Sequence, residues 1–514
     1  MITKELNPTL EDSHERRIAE QTETFKQGFP PVVLLKSATL GDGIRQYNTS
    51  QREEKIAYYQ SELKDGLDVL KFVPASGAAT RMFKHLFEVK SEIEDVNNPN
   101  QKVDFQNDSK LKSFVSNLQQ FAFYQSLKEF IPTLDQWDLS NITNKQLLQV
   151  LNIILTEQGL NYGALPKGVI LFHHYNQQDC TPLEEHLYEA AQYAKDSDGH
   201  CHLHFTVSPE HQTLFEVLSK KVVHTYEERF KVKYHITFST QKISTNTLAV
   251  NPDNTPFLES DGSILFRPGG HGALIENLND LDASLIFIKN IDNVTMQHLA
   301  DKTVEFKQVL AGTLLMERDI IHSWIEKIQS KEFDPQQLND LEKYIEEKLC
   351  VQMDSSYKDK TLNQKQVILF NILNRPIRVC GMVKNEGEPG GGPYWAKNNH
   401  DIFSLQIIES SQINHEDPQQ ESLINEATHF NPVDLVCYTK DQHNQPFDLT
   451  KFVDPNTGFI SNKSKNGKKL KALELPGLWN GAMANWSTIF VEVPLQTFSP
   501  VKEVTDLFRK EHQL

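Results

Sequence analysis

From residue 168 to 288, apolar runs of strand length alternate with stretches of helical spacing, and this alternation constrains the fold more than any other feature. Runs at 168–173, 202–207, 234–238, 264–266 and 283–288 read as strands, and 182–194, 210–220 and 273–277 read as helices. Strands joined by helices of this length form parallel βαβ units, so an α/β, doubly wound sheet is expected. An earlier run, 69–73, begins the sheet. Residues 1–67 read as an N-terminal helical segment, and 82–158 and 294–374 as helical insertions. From 376 onward the pattern is strand-rich, with runs at 377–383, 403–408, 435–438 and 489–493.

The run at 69–73 ends at Pro74 and opens into small residues: Ala75, Ser76, Gly77, Ala78 and Ala79. Such a loop lets backbone N–H groups approach an anion, and a following helix adds its positive N-terminal dipole. Thr80 adds a hydroxyl and Arg81 a planar, permanently charged fork suited to phosphate. No Gly-Lys-Ser/Thr follows, so this is not a Walker loop, and the glycines of a dinucleotide fingerprint are missing. The competing reading is a tight strand–helix turn without a ligand.

Composition limits the partners. The 514 residues are 24% charged and 38% hydrophobic, the profile of a soluble globular chain. A net charge of -17 argues against general binding to nucleic acid or anionic membrane, so an anionic substrate needs a locally basic pocket or a metal ion. The first residues lack the apolar core of a signal peptide, and no run is long enough to span a bilayer. Cys180, Cys201, Cys350, Cys380 and Cys437 are scattered and form no CxxC pair. The expected location is the reducing cytoplasm.

Further constellations follow in order. Pro166, Lys167 and Gly168 stand at a strand entry, where a lysine can reach a phosphate or simply lie in solvent. Pro268-Gly269-Gly270-His271-Gly272 permits close backbone approach to a base or sugar, with His271 as donor or acceptor. Asn290-Ile291-Asp292-Asn293 ends an apolar strand, where ligand crevices of open α/β sheets lie. Asp292 is placed to hold Mg²⁺, or to close a turn. His200, His202 and His204 alternate along one strand and share a face, but no fourth zinc ligand stands at a structural-site spacing. No GxSxG elbow is present, which leaves a serine hydrolase unsupported.

Taken together, these pieces resemble the UDP-sugar pyrophosphorylase (uridylyltransferase) superfamily. The 76–82 loop resembles its Gly-rich loop, Pro166-Lys167 its Pro-Lys motif, and Phe238-Ser239-Thr240-Gln241 its uracil-contacting segment with one extra residue. Pro268-Gly269-Gly270-His271-Gly272 is similar to its nucleoside loop and Asn290-Ile291-Asp292-Asn293 to its metal motif. Toward the C-terminus, Glu409 follows a strand as in the family. His429-Phe430-Asn431-Pro432-Val433-Asp434 resembles the sugar-side motif, and Phe498-Ser499-Pro500-Val501-Lys502 the Pro-Val-Lys ending. Phrases such as Gly387-Glu388-Pro389-Gly390-Gly391-Gly392-Pro393 and Leu475-Pro476-Gly477-Leu478-Trp479-Asn480-Gly481 also resemble a bacterial family described as a domain of unknown function, number 4301.

The resemblance implies a three-layer fold of the nucleotide-diphospho-sugar transferase type (GT-A-like, Rossmann-like) over 68–510, with a mixed, mostly parallel sheet. It implies transfer of a uridylyl group from a nucleoside triphosphate to a sugar 1-phosphate, with Mg²⁺. Arg81, Lys167 and Lys502 would be catalytic. Ser76, Gly77, Ala78, Ala79, Thr80, Gln241, Gly269, Gly270, His271 and Gly272 would bind the nucleotide, Glu409 and Asn431 would face the sugar, and Asp292 and Asp434 would hold the metal. Ala79 replaces a family glycine and Thr497 a family arginine, so an inactive nucleotide-binding protein is the alternative, as is a glycosyltransferase on the same fold. The glycine-proline loop at 387–393 is a candidate lid.

Overall fold

Nine strands lie in line across the centre of the molecule: β1 Thr39–Leu40, β2 Gly43–Arg45, β3 Val69–Pro74, β4 His200–Val207, β5 Lys233–Thr240, β6 Leu285–Lys289, β7 Ile377–Lys384, β8 Asp434–Tyr438 and β9 Ser487–Glu492. Their order is β1-β2-β9-β7-β8-β6-β3-β4-β5, and the short strand His429–Phe430 pairs with β7 off this line. β8 runs antiparallel to both its neighbours; the other pairings along the line are parallel. The computed structural model describes residues 10–95, 98–176, 178–330, 333–388, 390–398 and 402–514.

Both faces of the sheet are buried, which is why its strands read as continuous apolar runs. Leu285 and Phe287 of β6 enter one core, and Ile286 and Ile288 the other. The first core is closed by helices α1 Thr49–Lys64, α2 Pro182–Tyr193, α3 Gln212–Phe230 and α4 Asp301–Gln329. α2 starts where the sequence asks: Thr181 caps it reciprocally with Glu184, and Pro182 fills the first turn. The second core is closed by the short helix Ile275–Asn279 and by a three-stranded sheet of Leu34–Ser37, Gly392–Lys397 and Phe403–Ile408. A further four-stranded sheet joins Thr247–Val250, Phe266–Arg267, Phe459–Lys465 and Lys468–Glu474.

Two expectations are corrected. Residues 1–67 are not simply helical: Leu34–Ser37 pairs with Gly392–Lys397, and β2 pairs with β9. Strands of three or four residues carry too little periodicity to register in sequence. The run at 168–173 is not a sheet strand. Lys167–Val169 forms a 3₁₀ turn, and His173–Tyr175 makes a separate hairpin with Gln178–Cys180. Its apolar residues Ile170 and Phe172 are buried in the helical core of the 82–158 region instead. Finally, the 294–374 region is helical as expected, but it does not stand apart from the sheet, because α4 packs in the first core. Gly312 lets α1 cross it closely; a Cβ there would lie 1.9 Å from the Lys55 carbonyl oxygen.

Candidate functional site

The carboxyl ends of β3, β4 and β5 are in register, with Pro74 opposite Thr206 and Val207 opposite Thr240. Each releases a loop at this end of the sheet, as does β6. The Ala75 N–H donates to Thr206 O at 2.8 Å, tying the loop after β3 to β4. Ser76, Gly77, Ala78 and Thr80 are exposed, and Ala79 is buried. A Cβ at Gly77 would meet nothing within 4 Å, so packing does not require this glycine. The Ala79 N–H is already spent on Leu165 O at 2.9 Å, and Lys167 N donates to Gly77 O at 3.3 Å. One 3₁₀ turn, Ala79–Arg81, follows. The α-helix begins only at Lys84, further from the loop than the sequence pattern places it.

The 166–168, 290–293 and 498–502 motifs interlock behind this loop. Lys167 Nζ donates to Asp292 Oδ2 at 2.7 Å and to Val501 O at 2.6 Å. Val501 N donates to Asp292 O at 3.1 Å, and Ser499 N donates to Asn293 Oδ1 at 2.8 Å. Lys167 and Asp292 keep 13% and 22% of their side-chain surface exposed. Gly168 is fixed by packing, since a Cβ would lie 2.6 Å from the Phe215 ring. Lys502 lies beside this knot but pairs elsewhere, with Glu388 at 3.1 Å and in reach of the Phe498 ring. Arg81 is exposed and lines a cavity of about 200 Å³ with Lys84, His85, Lys110 and Glu503. In the 387–393 loop, Pro389 lies outside the described residues, and Gly392 already begins a strand.

A second group surrounds the glycine loop. Asn277 Nδ2 donates to Ser239 Oγ and Thr240 O, both at 2.8 Å, and so anchors the helix after that loop to the end of β5. Gln241, the next residue, donates to Thr245 Oγ1 at 3.1 Å. Gly270 has φ +80°, whereas Gly269 and Gly272 are needed for packing; a Cβ at Gly272 would lie 2.0 Å from Pro476 O. The His271 ring stacks on Trp479 at 4.4 Å and 21°. Its Nδ1 accepts from Leu478 N at 3.1 Å, which leaves the proton on Nε2. Burial pushes His271 down to about 4, so the ring is neutral. Trp479 was not a sequence candidate; its signal was the apolar, glycine-flanked segment after Glu474.

Glu409 belongs with this second group. It accepts from Asn480 Nδ2 at 3.0 Å, and its pKa is raised by burial and by Glu474 against the lowering effect of Asn480. Asn431 is buried and holds the backbone around it. Its carboxamide donates to Gly381 O and accepts from Val433 N, each at 3.0 Å, holding Val433 at φ 60°.

Asp434 is also corrected as a metal ligand. It is the first residue of a central strand, is buried, and is ion-paired to the equally buried Lys307. A divalent ion would have to displace that lysine, and an ammonium left without its counter-charge in a buried site is costly. Nearby, Glu189 accepts from Lys71 at 2.8 Å and Lys289 at 2.6 Å, and Tyr193 adds a third donor at 2.9 Å. Burial lowers Lys71 to about 7, although Glu189 opposes it. Burial favours the neutral form of Glu189 as well, but Lys289 and Lys71 overcome this and hold it well below the usual carboxylate range. The sequence signal for this cluster was a lysine inside each of two apolar strands.

Asp292 therefore remains as the part-exposed carboxylate at a strand end. One carboxylate with phosphate oxygens and water is a sufficient set for Mg²⁺. No curated protein matches the chain. Among solved structures it is similar to a mutant UDP-glucose pyrophosphorylase from Leishmania major, at 13% identity over 98% of this chain and 75% of that one, TM-score 0.44. It is also similar to the uridine diphosphate N-acetylglucosamine pyrophosphorylase from Trypanosoma brucei, at 11% identity over 96% and 73%, TM-score 0.47. The family described as a domain of unknown function (DUF4301) matches residues 5–513, and the chain belongs to it.

Proposed function

We propose that this protein is a sugar-1-phosphate nucleotidyltransferase of GT-A-like fold, taking UTP and releasing pyrophosphate. The observation that carries the reading is the meeting of Lys167, Asp292 and the 499–502 segment behind an exposed small-residue loop, at the carboxyl ends of parallel strands. These are the motifs that resemble the uridylyltransferases, far apart in sequence and joined by hydrogen bonds.

In the reaction, a sugar-phosphate oxygen attacks the α-phosphorus, the bond to the β-phosphate oxygen breaks, and pyrophosphate leaves with the electron pair. No protein nucleophile is required, so catalysis is positioning and charge neutralisation. The exposed backbone of Ser76, Gly77 and Ala78 and the Thr80 hydroxyl receive the triphosphate. Lys167 exchanges Asp292 for a phosphate oxygen. Lys502 and Arg81 bring cationic charge from either side, and Gln241, Gly270 and the His271–Trp479 stack bound the nucleoside. Asp292 would hold Mg²⁺, which supplies neutralisation of phosphate charge.

The test is pyrophosphate release with Mg²⁺ for each nucleoside triphosphate against a panel of sugar 1-phosphates. Turnover with UTP, abolished in Lys502→Ala with an unchanged melting temperature, is expected. UTP binding without turnover for any sugar would establish a binding protein instead, and absence of UTP binding would overturn the reading.

A further inference from the structure

At the opposite, amino-terminal end of the same strands lies a cluster that the nucleotide reading does not use. His200 and His202 are two residues apart on β4, and His235 stands directly opposite His202 on β5, the edge strand of the sheet. Strand alternation puts all three on one face. Their ring centroids are 4.9 Å apart for His200–His235, 4.7 Å for His202–His235 and 6.4 Å for His200–His202, with planes within 20° of parallel. His200 Nδ1 is 2.8 Å from His235 Nε2, and one ring nitrogen from each residue falls within 4.8 Å of the others. His200 and His202 are part-buried and His235 is exposed.

The grouping differs from the one the sequence pattern offers. His204 continues the alternation on β4, but both its ring nitrogens are spent, on Thr237 Oγ1 at 2.8 Å and Ser239 Oγ at 2.7 Å. Its ring lies flat on Phe72. The third imidazole comes instead from the neighbouring strand, which no spacing along β4 reveals.

We propose that His200, His202 and His235 form a binding site for a divalent transition-metal ion of the zinc type. Three neutral imidazoles are the donor set that Zn²⁺, Ni²⁺ and Cu²⁺ favour, with water completing the sphere; Mg²⁺ prefers oxygen and is excluded. Loading the ion replaces the His200–His235 hydrogen bond and turns the near-parallel rings so that their nitrogens converge. Asp196 Oδ1 accepts from His200 N at 2.7 Å, which holds the start of β4 beside the cluster. The bound ion ties the edge strand to its neighbour, so metal binding is coupled to the stability of the sheet edge.

The experiment uses the untagged full chain, stripped with chelator, and titrates Zn²⁺ by calorimetry, with Co²⁺ absorption as a report on coordination. One Zn²⁺ per chain is expected, with a visible Co²⁺ band and a raised melting temperature. Excess Mg²⁺ is expected not to compete, so this outcome does not depend on the nucleotide reading. His235→Ala, at an exposed position, should bind at least about tenfold more weakly and lose the thermal shift. His224→Ala, an exposed histidine outside the cluster, should behave as wild type. The proposal is overturned if wild type shows no Zn²⁺-dependent heat or shift, or if His235→Ala, melting normally without metal, retains wild-type affinity.

Discussion

The Lys167–Asp292 pair and the Lys71–Glu189–Lys289 cluster use the same chemical groups and meet along one strand, β6, and its exit. Lys71 lies in β3 and Lys289 ends β6, while Asp292 follows β6 by three residues. Exposure separates them: 13% and 22% for the Lys167 and Asp292 side chains, against 0–3% for Lys71, Lys289 and Glu189. In the core, neither charge can leave its partner without a large desolvation cost. At the strand end, where both side chains keep some contact with solvent, water or an anion can take the place of Asp292 beside Lys167. A lysine–carboxylate pair is thus a fixed strut a few ångströms inside the sheet and an exchangeable latch at its rim. Asp434 sits on the strut side of that boundary and Asp292 on the latch side.

The sharpest way to break this comparison is to remove the charge at the centre of the buried cluster. Glu189→Gln leaves Lys71 and Lys289 without a counter-charge in a site closed to water. The expected loss is about 3–5 kcal/mol in urea unfolding. A loss below about 1 kcal/mol would mean that water reaches the cluster, and the distinction between strut and latch would fall.

His271 lies between the two regimes, part-buried in the turn before the helix Ile275–Asn279. Its folded pKa is depressed to about 4, below its unfolded value near 6.5. Above 6.5 neither state carries the proton and its contribution is complete. Between 6.5 and 4 the unfolded chain takes up the proton while the folded one does not, so stability falls with pH. The loss is up to about 3 kcal/mol across that window. His271→Asn keeps an acceptor for Leu478 N but does not titrate there. The difference in stability between wild type and variant should therefore shrink as pH falls from 7 to 4. A constant difference would show that the ring is protonated in the folded state.

What the sequence disclosed follows the same physical division. The loop at 76–81, Lys167, Asp292 and the Pro-Val-Lys ending stand out in the sequence because short chemical motifs at strand ends do not depend on distant partners for their identity. Their mutual contacts were not legible from spacing, since Lys167 and Val501 are joined by tertiary structure alone. The backbone contacts of Asn431 and the buried lysine beside Asp434 were hidden from the sequence, because a polar residue near a strand looks the same whether it faces a ligand or satisfies a neighbour in the fold. His204 was grouped with His200 and His202 for a similar reason; periodicity gives the shared face but not the partners across it. Leu34–Ser37 and β2 were missed because their strand character comes from pairing with strands near residues 395 and 490.

The smallest stability effect belongs to the latch. Asp292→Asn keeps an oxygen to accept from Lys167 and removes only a part-exposed charge, so unfolding free energy should change by about 1 kcal/mol or less. Turnover should instead fall by at least about 100-fold, because the substituted amide neither draws Mg²⁺ nor balances the lysine during phosphate exchange. The informative quantity is the ratio of the two effects measured on one preparation. Near-normal stability with lost turnover, against large destabilisation in Glu189→Gln, places the functional boundary between Lys289 and Asp292. If Asp292→Asn is as unstable as Glu189→Gln, the rim pair is a strut as well, and the phosphate-exchange role assigned to Lys167 has no basis.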